Sequence, residues 1–96
     1  MKFTIVDDEE VIRDSISRFL EQKGHSCEAA SSGKEALEII EKEGVDVMVA
    51  DLNMPKMSGF QLLKIIKKKY HKIKVIILTA FADIKLLRRK RAEYQI

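Results

Sequence analysis

One apolar run fixes most of what this chain can fold into: Val45-Asp46-Val47-Met48-Val49-Ala50 ends abruptly in Asp51. A loop bearing Pro55 and Gly59 follows at once. Four to eight apolar residues bounded by turn residues describe a strand buried on both faces, which occurs where helices cover both sides of a parallel sheet. Asp51 then stands at the carboxyl end of a central strand, where open parallel sheets place their ligands. A carboxylate there is costly unless it is paired, hydrogen-bonded or bound to a cation.

The rest of the chain supplies the matching pieces. Lys2-Phe3-Thr4-Ile5-Val6 predicts a first strand that stops at Asp7-Asp8-Glu9-Glu10. Acids suit the first turn of a helix, where the dipole is positive. The helix that follows repeats Val11, Ile12, Ile16, Phe19 and Leu20 at helical spacing, and Gly24 is placed to end it in a left-handed cap. His25 to Ala29 form a weaker second strand. Ser32 with Glu35 three residues on predicts a capping box, opening a helix that buries Ala36, Leu37 and Ile40 and closes at Gly44. After Asp51 a third helix from about Gly59 to Tyr70 buries Leu62, Leu63 and Ile66, and turns Lys64, Lys67 and Lys68 outward. Val75-Ile76-Ile77-Leu78 is a fourth strand, uniformly apolar, ending at Thr79-Ala80, and Asp83 can cap a fourth helix. Strands alternating with helices give a doubly wound α/β fold with a parallel sheet.

Composition narrows the function. The 96 residues make one small domain, with no apolar stretch near the roughly 20 residues that span a bilayer. No basic-then-apolar leader opens the chain. A single cysteine, Cys27, excludes an internal disulfide and fits the reducing cytoplasm, with a packing role in the second strand. The charge is uneven: residues 1–56 hold 7 Lys and Arg against 13 Asp and Glu, whereas residues 57–96 hold 11 against 2.

Three strand ends carry chemistry: Asp7-Asp8, Asp51 and Thr79. In a sheet of order 2-1-3-4, strands 1 and 3 are neighbours, and the crevice where the order reverses holds all three carboxylates. Like charges so placed raise one another's pKa and call for a cation. Oxygen ligands alone suit Mg²⁺ or Mn²⁺. A carboxylate beside such an ion can attack phosphorus and form an acyl phosphate, with Thr79 donating to a phosphoryl oxygen. Taken singly, an Asp-Asp pair before a helix is most often an N-cap, and Asp51 or Thr79 an ordinary strand end. The combination is specific.

Residues 1–83 resemble the receiver domain of two-component response regulators, the CheY-like family, through Asp7-Asp8, Asp51-Leu52-Asn53-Met54-Pro55-Lys56-Met57-Ser58-Gly59 and Thr79-Ala80. The resemblance implies the flavodoxin-like doubly wound parallel sheet in the order 2-1-3-4, within a single domain over 1–96 whose tail, 84–96, is atypical. It implies that Asp51 accepts a phosphoryl group from a sensor histidine kinase or phosphotransfer protein. It implies Mg²⁺ (or Mn²⁺) held by Asp8, Asp51 and the backbone carbonyl of Asn53, with Asp7 acting largely through water. Thr79 follows the phosphoryl group as a switch, and Asn53 and Phe81 occupy positions that tune acyl-phosphate lifetime. Such a domain is a cytoplasmic phosphoacceptor that transfers the phosphoryl group to itself and loses it again; it is not a turnover enzyme.

The family's domain continues through a fifth strand, a Lys-Pro pair and a fifth helix, whereas this sequence ends at Ile96. Arg91-Ala92-Glu93-Tyr94-Gln95-Ile96 resembles the start of that strand, with Tyr94 at the place of the switch aromatic. Without the family's Lys, for which Lys56 is the cation nearest Asp51 in sequence, the expectation is Mg²⁺ binding kept, phosphotransfer weakened and switching impaired. An uncovered sheet edge favours a homodimer. Two further readings stay open: a receiver-like binding or dimerisation module without signalling chemistry, and a less favoured nucleic-acid binder using Lys67-Lys68-Lys69 and the basic run from Lys85 to Arg91. A Mg²⁺-dependent phosphatase with an Asp nucleophile wants a second acid two residues on, where this chain has Asn53.

Overall fold

The computed structural model describes residues 1–51 and 59–78. Seven elements follow one another: β1 (Lys2–Val6), α1 (Glu10–Gln22), β2 (Ser26–Ala30), α2 (Gly33–Glu43), β3 (Val47–Asp51), α3 (Gly59–Lys69) and β4 (Lys74–Leu78). The four strands are parallel in the order β2-β1-β3-β4. This is the doubly wound flavodoxin-like order that the family resemblance implies. The fourth helix and everything else expected beyond Leu78 lie outside the described residues, as does the loop 52–58.

Alternation along the strands separates two cores. Val6, Ala30, Met48 and Ala50 pack on one face with Ala36 and Ile40 of α2, Leu62 and Ile66 of α3, and Ile73. Phe3, Ile5, Val47 and Val49 point the other way, against Ile16 and Leu20 of α1. Helices therefore cover both faces, which is why β3 reads as a continuous apolar run. Ile5, Met48, Leu62, Leu63 and Ile66 are among the largest side chains wholly removed from water. Each contributes roughly 1.5–3 kcal/mol of transfer free energy.

Helix ends follow the chemistry read from the sequence. Gly24 has φ +91°, with its N–H donating to Glu21 O at 3.0 Å and the His25 N–H donating to Leu20 O at 3.1 Å. That pair of bonds is a Schellman motif, and its left-handed residue favours glycine. Ser32 Oγ accepts from the Glu35 N–H at 3.2 Å, as the capping box requires. The reciprocal arm differs from expectation: Glu35 Oε2 reaches past Ser32 to the N–H (3.1 Å) and hydroxyl (2.8 Å) of Ser31. These two bonds hold the Glu35 carboxyl below its usual pKa.

Three apolar expectations are corrected. Of the apolar residues of α1, Ile12, Ile16 and Leu20 are half-buried, whereas Val11 is 74% and Phe19 59% exposed. At about 100° per residue, Val11 lies roughly 140° and Phe19 roughly 60° from Ile16, the centre of the stripe through 12, 16 and 20. In β4, expected to be buried on both faces, Ile76 is 50% exposed. It pairs with Val49 and so shares the face of α1, but α1 packs against β1 and β2. Leu37, expected in the core, is half-buried beside it.

Candidate functional site

The register of the sheet builds the site. β1 and β3 pair in parallel from Phe3↔Val47 to Val6↔Ala50. The next residue on each side is an aspartate, so Asp7, just past β1, and Asp51, the last residue of β3, are set side by side. Asp8 follows Asp7 before α1 begins. One carboxylate oxygen from each of Asp7, Asp8 and Asp51 lies within 4.8 Å of the others. Asp7 is buried, Asp51 half-buried and Asp8 exposed.

Asp7 is the most constrained of the three. Its N–H donates to Ala30 O at 3.1 Å, extending the β1–β2 ladder by one bond. Its Oδ1 accepts the Glu9 N–H at 2.8 Å, closing a tight turn around Asp8 at the entry to α1. Glu9, the N-cap residue, makes no side-chain cap, so this bond satisfies a donor at the helix start. Burial pushes the Asp7 carboxyl up from its ordinary pKa, the charges of Asp51 and Asp8 add to that, and the Glu9 N–H opposes it.

Asp7 also carries a contact that the sequence reading did not single out. Arg13 Nη1 donates to Asp7 O at 2.7 Å. Its sequence signal is faint, an arginine one turn into an amphipathic helix, which usually marks a solvated flank.

The donor set fits a hard divalent cation. All three groups offer oxygen, and their spacing compares with the roughly 4.2 Å between opposite oxygens of a Mg²⁺ octahedron. With Oδ1 engaged by Glu9, Asp7 keeps one oxygen for such an ion or for a water bound to it. Thr79, Asn53, Lys56, Phe81 and Tyr94 lie outside the described residues.

Other singled-out residues sit apart from this cluster. Lys64, Lys67 and Lys68 are exposed on α3, as expected. Lys67, Lys68 and Lys69 occupy its last turn, which leads to the amino end of β4 and so to the opposite end of the sheet. Cys27 is half-buried, with its thiol pKa pushed up by burial. His25 lies against Phe3, ring centroids 5.0 Å apart, and His71 is exposed after α3. Among the described residues no helix is long and apolar enough to cross a membrane.

Comparison with known proteins agrees with this geometry. The model of the response regulator receiver domain family matches residues 3–93. Response regulator RR06 of Streptococcus pneumoniae is 43% identical over 83 residues, which is 86% of this chain and 38% of that protein. The chain thus spans well under half the length of that curated relative. Among solved structures, a receiver domain protein from Clostridium thermocellum superposes with a TM-score of 0.87 at 36% identity, covering 97% of this chain and 75% of its own. The response regulator TrrA of Thermotoga maritima, solved in complex with Mg²⁺ and BeF, gives 0.84 at 31% identity, covering 95% and 79%.

Proposed function

This chain belongs to the response regulator receiver family, and on that footing we propose that it is the phosphoacceptor of a two-component phosphorelay. Asp51 is the acceptor. One of its carboxylate oxygens attacks the phosphorus of a phosphohistidine on a sensor histidine kinase or phosphotransfer protein. The new O–P bond makes an acyl phosphate. The P–N bond breaks with its electron pair going to the imidazole, which then takes up a proton.

The observation that carries this reading is the convergence of Asp7, Asp8 and Asp51 at adjoining strand ends. Asp8, Asp51 and the Asn53 carbonyl would hold Mg²⁺ (or Mn²⁺), with Asp7 acting through water. A bound ion supplies charge compensation for the transferring phosphoryl oxygens. The chain's own contribution is positional: β1 and β3 hold the acids side by side, and the turn closed by Asp7 and Glu9 presents Asp8 to the crevice. That the neighbour TrrA, at 31% identity, was solved in complex with Mg²⁺ and BeF supports a Mg²⁺ role in this fold. The roles of Thr79 as phosphoryl donor and switch, of Asn53 and Phe81 in lifetime, and of Lys56 and Tyr94 rest on the family resemblance. So does placing residues 1–96 in one cytoplasmic domain.

The test is phosphorylation by a small phosphodonor with Mg²⁺, comparing the chain with Asp51→Asn. Uptake that disappears in the variant and on chelation supports the reading. Uptake that persists in Asp51→Asn overturns it. Self-association through the β4 side of the sheet is a separate proposal, supported by the exposure of Ile76; a strictly monomeric sedimentation profile at high concentration removes it.

A further inference from the structure

Arg13 ties the first turn of α1 to the backbone of the acidic cluster. It stands one turn into α1, half-buried, and Nη1 donates to the carbonyl oxygen of Asp7 at 2.7 Å. A bond this short from a charged donor is roughly twice as strong as a neutral one. The same guanidinium lies close enough to Glu35, in the first turn of α2, to help hold its carboxylate ionised. Glu35 in turn accepts from the N–H and hydroxyl of Ser31 at 3.1 and 2.8 Å, just beyond the end of β2. Arg13 is therefore bonded to the backbone of Asp7 and attracted through space to the Glu35 carboxylate at the β2–α2 junction.

The place of that last contact matters. The Asp7 carbonyl belongs to the peptide unit joining Asp7 to Asp8. On the far side of Asp8, the Glu9 N–H is tied to Asp7 Oδ1 at 2.8 Å. The backbone flanking Asp8 is thus fixed on both sides: by Arg13 before it and by the Asp7 side chain after it. Asp8 is the exposed member of the cluster, and its direction is set by this backbone.

We infer that Arg13 is a positioning residue for the cation site, holding the Asp7–Asp8 peptide so that the Asp8 carboxylate points at Asp7 and Asp51. The inference rests on the cation-binding reading proposed above. It makes a prediction opposite in sign to simple electrostatics. A cation beside the cluster repels Mg²⁺, so if Arg13 acted through its charge alone, removing it would tighten binding. If it acts by holding the backbone, removing it weakens binding.

Mg²⁺ affinity of the metal-free chain is measured by calorimetric titration for the wild type, Arg13→Ala, Arg13→Gln, Arg13→Lys and Glu35→Gln, with a thermal melt of each. Arg13→Ala and Arg13→Gln are expected to bind about tenfold more weakly, the usual effect of losing an outer-shell partner. Arg13→Lys, which keeps a donor on a long stem, recovers part of the loss, and Glu35→Gln shows a smaller loss in the same direction. A second readout needs no metal: the Glu9 amide resonance, which reports the turn around Asp8, moves in Arg13→Gln before any ion is added. Should Arg13→Ala fail to fold, Arg13→Gln carries the comparison. Equal or tighter Mg²⁺ binding by Arg13→Gln, or a lower melting temperature with unchanged affinity, overturns the inference. Absence of Mg²⁺ binding by the wild type overturns the cation-site reading instead. The Glu9 resonance then decides separately whether Arg13 sets the turn: a shift supports the positioning role, and no shift overturns it.

Discussion

Val6 and Ala50 sit opposite each other at the last paired position of the β1–β3 ladder. Each is followed by an aspartate, so strand pairing itself brings Asp7 and Asp51 together. A slip of one residue between the two strands would turn one of the carboxylates to the other face of the sheet and part the pair. The site therefore inherits its precision from the hydrophobic register beneath it.

Asp7 is buried among like charges, and its raised pKa has a consequence for stability. The folded chain holds the Asp7 proton to higher pH than the unfolded chain does. The contribution is favourable below the unfolded carboxylate pKa and is lost as pH rises through the folded value. Asp7→Asn keeps the Oδ1 acceptor for Glu9 while removing the charge. In Mg²⁺-free buffer at neutral pH it is expected to melt above the wild type, and to bind Mg²⁺ more weakly. Melts with and without chelator check both.

Mg²⁺ is expected to stabilise the chain by binding the folded state alone. At a concentration a hundredfold above its Kd the gain is about 2.7 kcal/mol. Thermal melts across a Mg²⁺ series measure it, and the gain shrinks in Asp8→Asn and Asp51→Asn at the same concentration.

Ser32 caps α2, and Glu35 anchors the preceding residue. Ser32→Ala is expected to cost about 1 kcal/mol, lowering the melting temperature by roughly 4–8 °C in a domain of this size. Because the Glu35 pKa is lowered, its contribution is present above the unfolded value and lost as pH falls through the folded one. The melting difference between wild type and Glu35→Gln should therefore narrow in acid.

Thr4 is fully buried, and its Oγ1 has no hydrogen-bond partner among the described residues. A desolvated hydroxyl left unpaired costs about 1–3 kcal/mol, and replacing it by an apolar group of the same shape removes that cost. Thr4→Val is expected to raise stability in urea unfolding by about 1 kcal/mol, with an unchanged m-value.

The two sides of the sheet should respond differently to truncation. Leu62, on the inward face of α3, is fully buried, and Leu62→Ala is expected to cost about 2–5 kcal/mol. Val11 is 74% exposed on α1, so Val11→Ala should change stability by less than about 0.5 kcal/mol. Paired unfolding curves test the contrast.

The order of residues is enough to specify the elements from β1 to β4, their alternation and the caps of α1 and α2, because each depends on neighbours within a turn or a strand. Gly24 and Ser32 act where they were expected, and the apolar run ending at Asp51 is a buried central strand. It also located Asp7, Asp8 and Asp51 at strand ends, since a carboxylate closing an apolar run is visible in one dimension. What lies beside what depends on the folded arrangement. Periodicity put Val11 and Phe19 with Ile12, Ile16 and Leu20, but the direction from which the sheet approaches α1 chose only the latter three. The apolar run in β4 signalled burial on both faces, yet α1 lies over β1 and β2 and leaves Ile76 half-exposed. Arg13 reads as a solvated helix flank until the chain folds and sets it 2.7 Å from the Asp7 carbonyl. Local pattern specifies which residues seek burial or a partner; which partner they meet is a property of sheet order and helix placement, and these exist only in three dimensions.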